Sequence, residues 1–329
     1  MPAYKSALSL KETEIAIKFI KDTFENKLAT NLNLIRVSAP LFVFKKSGLN
    51  DNLNGIERPV CFHPKDIDED IEVVQSLAKW KREALGRYNI GAHQGIYTDM
   101  NAIRQDETLD ATHSLYVDQW DYEIVLKKEE RKLETLFTVV RIIYKTMVEV
   151  EELVNFKYPC FGKKLPTDIT FIDAYQLEKD YPNLSRKERE KEISKKYKAV
   201  FLYHIGWDLK DGLPHDGRAP DYDDWNLNGD IIVYNPILDN AFELSSMGIR
   251  VDEESIVSQI KKRKKEEMLN TPFVKKIINK ELPYTLGGGI GQSRLCMFYL
   301  EKAHIGEVQA SIWSEEEKKK AQDLGIELL

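Results

Sequence analysis

Apolar residues at Ile17, Ile20, Phe24 and Leu28 recur at the three-to-four-residue spacing of one helix face. Ser9 and Glu12 precede them at the spacing of a capping box, so a first helix is expected to run to about Asn31. LIRVSAPLFVF follows as a β-rich run. Pro40 interrupts it and cannot donate to a sheet ladder, so this strand is expected to bend or to lie at an edge. KSGLNDNLNG reads as a turn-rich loop holding Asp51. IEVVQSLAKWKREALG opens as a strand and becomes a helix carrying Ser76, Lys81 and Arg82. GIYTDMNAIRQDETLDATHSLYVDQWDYEIVL predicts two antiparallel strands joined by a loop after Arg104. A long helix is expected from about Glu123 to Val154, with Leu133, Phe137, Val140, Tyr144, Met147 and Val154 on its buried face.

Beyond it the pattern becomes more polar, with a charged helix in SRKEREKEISKKY. The stretch of about 155–200 reads as a smaller insertion in one domain spanning 1–329. Strands return at AVFLYHIGW and DIIVYN, on either side of the acidic turn DGLPHDGRAPDYDDW. The run FELSSMGIRV and a charged helical region then lead into GGGIGQSRL. No internal repeat or low-complexity linker divides the chain.

Composition narrows the class. The 329 residues are 42% hydrophobic and 31% charged, an ordinary globular balance able to bury a large core. Lys and Arg number 48 against 54 Asp and Glu, a net charge of −6, so no global basic field favours nucleic acid. KKRKKEE near Lys261 carries its own acids and reads as a solvated helix face. Cys61, Cys160 and Cys296 are too scattered for a disulfide framework or a zinc pair. No stretch approaches the roughly 18 apolar residues of a spanning helix, and the N-terminus lacks a signal-peptide core. The expectation is a soluble, cytoplasmic protein with neither a membrane nor a nucleic acid as partner.

Several motifs carry candidate chemistry. Three consecutive glycines in GGGIGQSRL leave backbone without Cβ atoms, ahead of Arg294 and an apolar helix. A nucleotide site and a tight turn before a core helix both fit. No Gly-Lys-Ser/Thr follows, and the glycine spacing is not that of a dinucleotide fingerprint. Arg104, at a strand end, and Arg294 are candidates for polyphosphate, since a guanidinium can give one phosphate two donors; a surface ion pair is the alternative for each. In ELSSMGIR, Glu243 lies three residues before Ser246. On a helical turn the two would face the same way, a hard-oxygen pair suited to magnesium, with Asp230 able to join; a capped helix start is the alternative. Asp221, Asp223 and Asp224 cluster in APDYDDW, and Asp118 and Asp121 in VDQWDYE. Such carboxylates repel unless a cation or amine sits among them, or the loop is simply solvated. The six histidines show no metal-ligand spacing, and no serine sits in a nucleophile elbow.

SLAKWKR, LYVDQWD, RAPDYDDW, LNGDI, FELSSMGIRV and GGGIGQSRL, in this order, resemble the ammonia-dependent asparagine synthetase (aspartate–ammonia ligase) family. That family is related to the catalytic domain of class II aminoacyl-tRNA synthetases. The helix and strand ending in VSAPLF resemble the first class motif, IRQDE the second and GGGIGQSRL the third. The resemblance covers most of the chain and implies an α+β fold, an antiparallel sheet flanked by helices. It also implies a homodimer built through the first motif. The implied reaction joins aspartate and ammonia with ATP, through a β-aspartyl-adenylate, giving asparagine, AMP and pyrophosphate with magnesium. Matched residue by residue, Ser76, Lys81, Gln119, Asp121 and Asp223 would surround aspartate, and Asp51 would meet ammonia. Arg104, Arg218, Arg250, Gly288, Gly289 and Arg294 would hold the nucleotide; Glu243, Ser246 and Asp230 would support magnesium. Two departures show: the linker between DYDDW and LNGD is short, and Gln75 stands where a histidine is expected.

The chemistry suits these residue types. A carboxylate is a poor acyl donor until adenylation supplies AMP as leaving group, and fixed cations stabilise the charge gathering on phosphate oxygens. A buried carboxylate can attract ammonium and take its proton. A tRNA synthetase is the first rival, but the motif helix begins almost at the first residue, and the acidic balance disfavours tRNA. A non-catalytic paralogue is the second, against which Arg104, Glu243 and Arg294 stand together. A glutamine-dependent enzyme would need an N-terminal cysteine, where this chain has Pro2.

Overall fold

The computed structural model describes residues 4–51, 53 and 57–329. In chain order its elements are α1 (Leu10–Leu32), β1 (Leu34–Arg36), β2 (Phe42–Phe44), β3 (Cys61–Phe62), β4 (Ile71–Val73), α2 (Ala78–Arg87), β5 (Gly95–Ile103), β6 (Tyr116–Leu126) and α3 (Leu133–Lys157). Then come β7 (Thr170–Asp173), α4 (Ala174–Asp180), α5 (Arg186–Tyr197), β8 (Ala199–Tyr203), β9 (Asp223–Asn235), β10 (Asn240–Arg250), α6 (Ser255–Lys262), α7 (Pro272–Ile278), β11 (Tyr284–Gly291), α8 (Gln292–Tyr299) and α9 (Glu315–Asp323).

Eight strands form one sheet in the order β1-β5-β6-β11-β10-β9-β8-β7, and β2, β4 and β3 form a small second sheet. The large sheet is antiparallel through its centre, with one parallel pair at each end, β1 with β5 and β7 with β8. Pro40 lies between β1 and β2, where the chain leaves one sheet for the other. The segment around 155–200 supplies the edge strand β7 and the helices α4 and α5, and α5 packs on β8, β9 and β10.

Alternation along the strands sorts side chains between two faces. From β6, Trp120, Tyr122 and Ile124 enter the main apolar core, together with Met247 and Ile249 of β10 and Ile290 of β11. The helices α1 and α3 cover this face. Ser9 and Glu12 form the capping box that starts α1, and Ile17, Ile20, Phe24 and Leu28 are its buried stripe. Phe24 stacks on Trp120 with ring centroids 4.7 Å apart.

Three sequence expectations are corrected. The long helix begins at Leu133, not near Glu123. Glu123 lies within β6, paired with Gly287, because QWDYEIV alternates at period two. ELSSMGIR is strand β10 rather than a helical turn, so it caps no helix. Ser76 precedes α2 instead of riding on it. The loop holding Asp51 falls partly (52 and 54–56) outside the described residues.

Phe24 reports on the α1–sheet contact. Replacing it with alanine leaves a cavity against Trp120, and a loss of about 3–5 kcal/mol in chemical denaturation is expected.

Candidate active site

On the opposite face of the sheet lies a cleft of about 350 Å³. Strand register builds its floor. Asp121, Gly289, Ser246 and Asp230 form one row across β6, β11, β10 and β9. Glu123, Gly287, Gly248 and Asn228 form the next. The glycines in these rows make a trough. A Cβ on Gly287 would collide with the Glu123 carboxylate, and one on Gly289 with the Gln119 amide and, at 2.7 Å, with Asp121 Oδ1. A Cβ on Gly248 would stand 2.9 Å from both Asn228 Cβ and Asp223 Cγ. The triple glycine is therefore part of a strand rather than a turn, and charged side chains of neighbouring strands lie across it. Gly288 points the other way: its missing Cβ admits Met247, while its carbonyl accepts a hydrogen bond from Lys81 Nζ at 3.1 Å.

Five buried charges occupy the trough. Lys81, 1% exposed, approaches Asp121 Oδ2 at 3.3 Å and Glu123 Oε2 at 3.9 Å. Arg250 donates to Glu123 through Nε (2.9 Å) and Nη2 (2.7 Å), and to Asp223 through Nη1. Burial works against the Lys81 charge and lowers its pKa although Asp121 and Glu123 oppose the shift. Burial would also raise Glu123, but Arg250 outweighs it and the pKa falls. For Asp223 burial prevails over Arg250 and Arg218, and the pKa rises.

The other clustered aspartates each have a cation of their own. Lys79 reaches Asp221 at 2.7 Å, Arg131 reaches Asp224 at 3.0 Å, and Lys21 reaches Asp118 at 2.9 Å. The repulsion evident in APDYDDW is relieved by residues distant in sequence, not by a ligand amine.

Asp51 and Ser76 line the same cleft. Asn50 anchors the start of the Asp51 loop: its Nδ2 donates to Glu72 Oε2 and the Val73 carbonyl, both 3.1 Å, and its Oδ1 accepts from the amides of Asp51 (3.0 Å) and Gln75 (2.9 Å). Asp51 accepts from the Leu53 amide at 2.8 Å, and burial raises its pKa above the ordinary carboxylate range, with Lys79 opposing. Gln75, at the position that departs from the expected histidine, is buried, and its side-chain amide has no partner among the described residues.

At the other end stand the arginines. Arg104 follows the last residue of β5, and its Nε has no partner among the described residues. Arg294 Nη1 donates to the Glu243 carbonyl at 3.1 Å. Arg218 Nη2 donates to both oxygens of Asp230 at 2.6 Å. Arg250, by contrast, is committed to Glu123 and Asp223.

Glu243 and Ser246 do share a face, but through a β-bulge. The register passes from Glu243 opposite Ile232 to Ser245 opposite Ile231, and the extra residue, Leu244, puts Glu243, Ser246 and Asp230 on one side. Burial pushes Asp230 up to about 8 against the Arg218 charge, with Glu243 adding to the rise. Among the described residues no three His, Cys, Asp or Glu side chains converge as a metal cluster. Two carboxylates and a hydroxyl on one face still suit magnesium, which takes few protein ligands beside phosphate and water.

Sequence reasoning missed Glu123. Its signal was the alternation Gln119, Asp121, Glu123, three polar residues on one face of the strand, with Trp120, Tyr122 and Ile124 on the other.

The aspartate-ammonia ligase family model matches residues 11–325. The chain belongs to the aspartate–ammonia ligase family. A relative from Clostridium tetani (strain Massachusetts / E88), named aspartate–ammonia ligase, is 59% identical over 327 residues, covering 99% of this chain and 96% of that one. One of the same name from Fusobacterium nucleatum subsp. nucleatum is 58% identical over 327 residues, covering 99% and 100%. Among solved structures, asparaginyl-tRNA synthetase from Pyrococcus horikoshii complexed with asparaginyl-adenylate matches with a TM-score of 0.67 at 14% identity, over 92% of this chain and 70% of that one. The Entamoeba histolytica asparaginyl-tRNA synthetase in complex with asparaginyl-adenylate matches with a TM-score of 0.64 at 14% identity, over 91% and 66%. The fold is thus that of the class II synthetases.

The two neighbouring glycines are expected to fail differently in this ligase. In Gly289→Ala the methyl displaces only the flexible ends of Gln119 and Asp121, so circular dichroism should be native while turnover falls at least about tenfold. In Gly288→Ala it strikes the Ser246 carbonyl and Met247, so thermal stability should fall.

Proposed function

We propose that the chain joins ammonia to the β-carboxyl group of aspartate, using ATP through a β-aspartyl-adenylate and releasing asparagine, AMP and pyrophosphate. The observation that carries this reading is one cleft with a buried lysine–carboxylate lattice at one end and two arginines at the other, in a chain of this family.

Aspartate lies in the trough. Lys81 holds a carboxylate as a compact point charge, and Asp121 and Asp223 attract the α-ammonium, with Gln119 and Ser76 at the edges. Because Arg250 is fixed by Glu123 and Asp223, these groups are oriented before substrate arrives, and little reorganisation remains for the transition state. The β-carboxylate then attacks the α-phosphorus. Arg104 and Arg294 donate to the phosphate oxygens where charge gathers, and pyrophosphate leaves. Arg218, holding Asp230, keeps a positive charge beside them. Magnesium, held by Glu243 and Ser246 with Asp230 adjacent, would neutralise phosphate charge and orient the leaving group.

Asp51 receives ammonium at the other side. The raised pKa brings its proton affinity closer to that needed to take a proton as neutral ammonia attacks the acyl-adenylate. Two protons leave the nitrogen: one passes from ammonium to Asp51, and the other is shed to solvent as the ammonia so freed bonds the β-carbonyl carbon and the C–O bond to AMP breaks.

The protein works as a cytoplasmic homodimer in this reading. Among the described residues no helix is long and apolar enough to cross a membrane. Ile35 on β1, and Leu41, Phe42, Phe44 and Phe62 in and next to the small sheet, are exposed apolar residues in and after the first-motif segment, which supports pairing with a second copy.

Purified protein given ATP, magnesium, aspartate and ammonium should release pyrophosphate and form asparagine. Stoichiometric ADP would contradict the adenylate route. Arg104→Ala and Arg294→Ala should each lower adenylation by about 3–4 kcal/mol of transition-state stabilisation with folding intact, as measured by aspartate-dependent pyrophosphate exchange.

Asp51→Asn should separate the half-reactions. Exchange of the bridging and non-bridging oxygens of ATP should persist while asparagine formation is lost. In the wild type, kcat/KM for ammonium should fall as pH drops through the Asp51 pKa, since protonation removes the charge that binds ammonium. That limb should lie above the ordinary carboxylate range. Equal loss of both half-reactions in Asp51→Asn would overturn the ammonia assignment.

A further inference from the structure

Gln309 lies beyond the glycine strand and helix α8, in a segment to which none of the roles above extends. It lines the cleft and is 5% exposed. Its amide nitrogen donates to Asp118 Oδ1 and to Ser293 Oγ, each at 3.1 Å. Ser293 in turn donates to Asp118, from its amide at 3.1 Å and its hydroxyl at 2.8 Å, and Lys21 donates to the same carboxylate at 2.9 Å. A carboxylate accepts only, so this network fixes which way the Gln309 amide points. Both its N–H groups are used, and Oε1 is left buried with no donor among the described residues.

An unpaired buried acceptor costs free energy unless a ligand completes it. The place defines the ligand. Ser293 adjoins Arg294. The Ile305 amide donates to the Ala111 carbonyl at 2.8 Å, and Ser114 Oγ donates to Ser311 Oγ at 2.8 Å, so this segment seals against the loop that follows Arg104. Gln309 is therefore at the nucleotide end, away from the lysine and aspartates of the trough. Phosphate does not suit it, because a carbonyl oxygen backed by the Asp118 charge repels an anion.

We propose that Gln309 Oε1 accepts a hydrogen bond from the nucleoside of ATP, either the base amine or a ribose hydroxyl, and that Asp118 and Ser293 hold the amide for it. The proposal rests on the assignment of this end of the cleft to ATP. It makes Gln309 a nucleotide-selecting residue and Asp118 its positioning residue.

Calorimetric binding, rather than turnover, keeps the test separate from the assignment of the reaction. ATP, 2′-deoxy-ATP, 3′-deoxy-ATP and the triphosphate of purine riboside, which lacks the 6-amine, are titrated into the wild type and into Gln309→Met. The wild type should bind one analogue roughly tenfold more weakly than ATP, the size expected for a hydrogen bond to a buried acceptor. Gln309→Met should bind ATP equally weakly, and the penalty on that analogue should vanish. The analogue affected tells base amine from ribose hydroxyl. Equal binding of all four by the wild type, or a penalty that survives in Gln309→Met, would overturn the proposal. The wild-type series decides this even if the variant fails to fold. If ATP and its analogues behave as expected but the protein makes no asparagine, the reaction assignment fails and the Gln309 contact stands.

Discussion

The Glu123 carboxylate is wholly buried in the middle of a strand, and it lies over a residue that has no side chain. An isolated carboxylate there would protonate or unfold its surroundings. Arg250 prevents this with two charge-assisted hydrogen bonds, and through its remaining arm it also holds Asp223. Lys81 approaches the same carboxylate from α2. One buried anion thus ties together β6, β10, the start of β9 and the helix bearing Lys81. Removing a single partner from such a lattice costs about 3–5 kcal/mol, because it leaves a buried charge uncompensated.

The glycines and the charges explain each other. A charged side chain long enough to reach across a strand needs open space above that strand. Gly287, Gly289 and Gly248 provide it for Glu123, for Gln119 and Asp121, and for Asn228 and Asp223. The apolar layer beneath, with Trp120, Tyr122 and Met247 packed under α1 and α3, gives this polar face a rigid support. Rigidity matters for the proposed chemistry: donors that are already oriented stabilise developing charge without reorganising first.

Much of this was legible in the sequence. The capping box and stripe of α1, Arg104 at a strand end, and the order of the motifs lead directly to the observed fold and family. The failures share a physical origin. Glu243 and Ser246 lie three apart, a spacing that reads as helical, and a β-bulge produces the same shared face from a strand. Glu123 sits at the end of a polar-apolar alternation that merges into an apolar run, so period two and period 3.6 compete there, and cross-strand pairing decides. The aspartates of APDYDDW look mutually repulsive because their partners, Lys79, Arg131 and Arg250, come from α2, from just before α3 and from β10. Pairings across such sequence separations exist only once the sheet has formed. Gln309 carried no motif at all, and only an unpaired oxygen in the folded chain singles it out.

In the proposed function Glu123, buried beneath the cleft surface, organises the aspartate subsite through Arg250 and Lys81. Calorimetric titration of aspartate into Glu123→Gln, beside wild type and with a non-hydrolysable ATP analogue present, tests it most directly. The amide keeps the size and removes the charge. If the lattice preorganises the subsite, folded Glu123→Gln binds aspartate at least about tenfold more weakly, a difference of about 1.4 kcal/mol, with the affinity for the ATP analogue unchanged. Aspartate affinity equal to that of the wild type would mean that Glu123 does not organise the subsite.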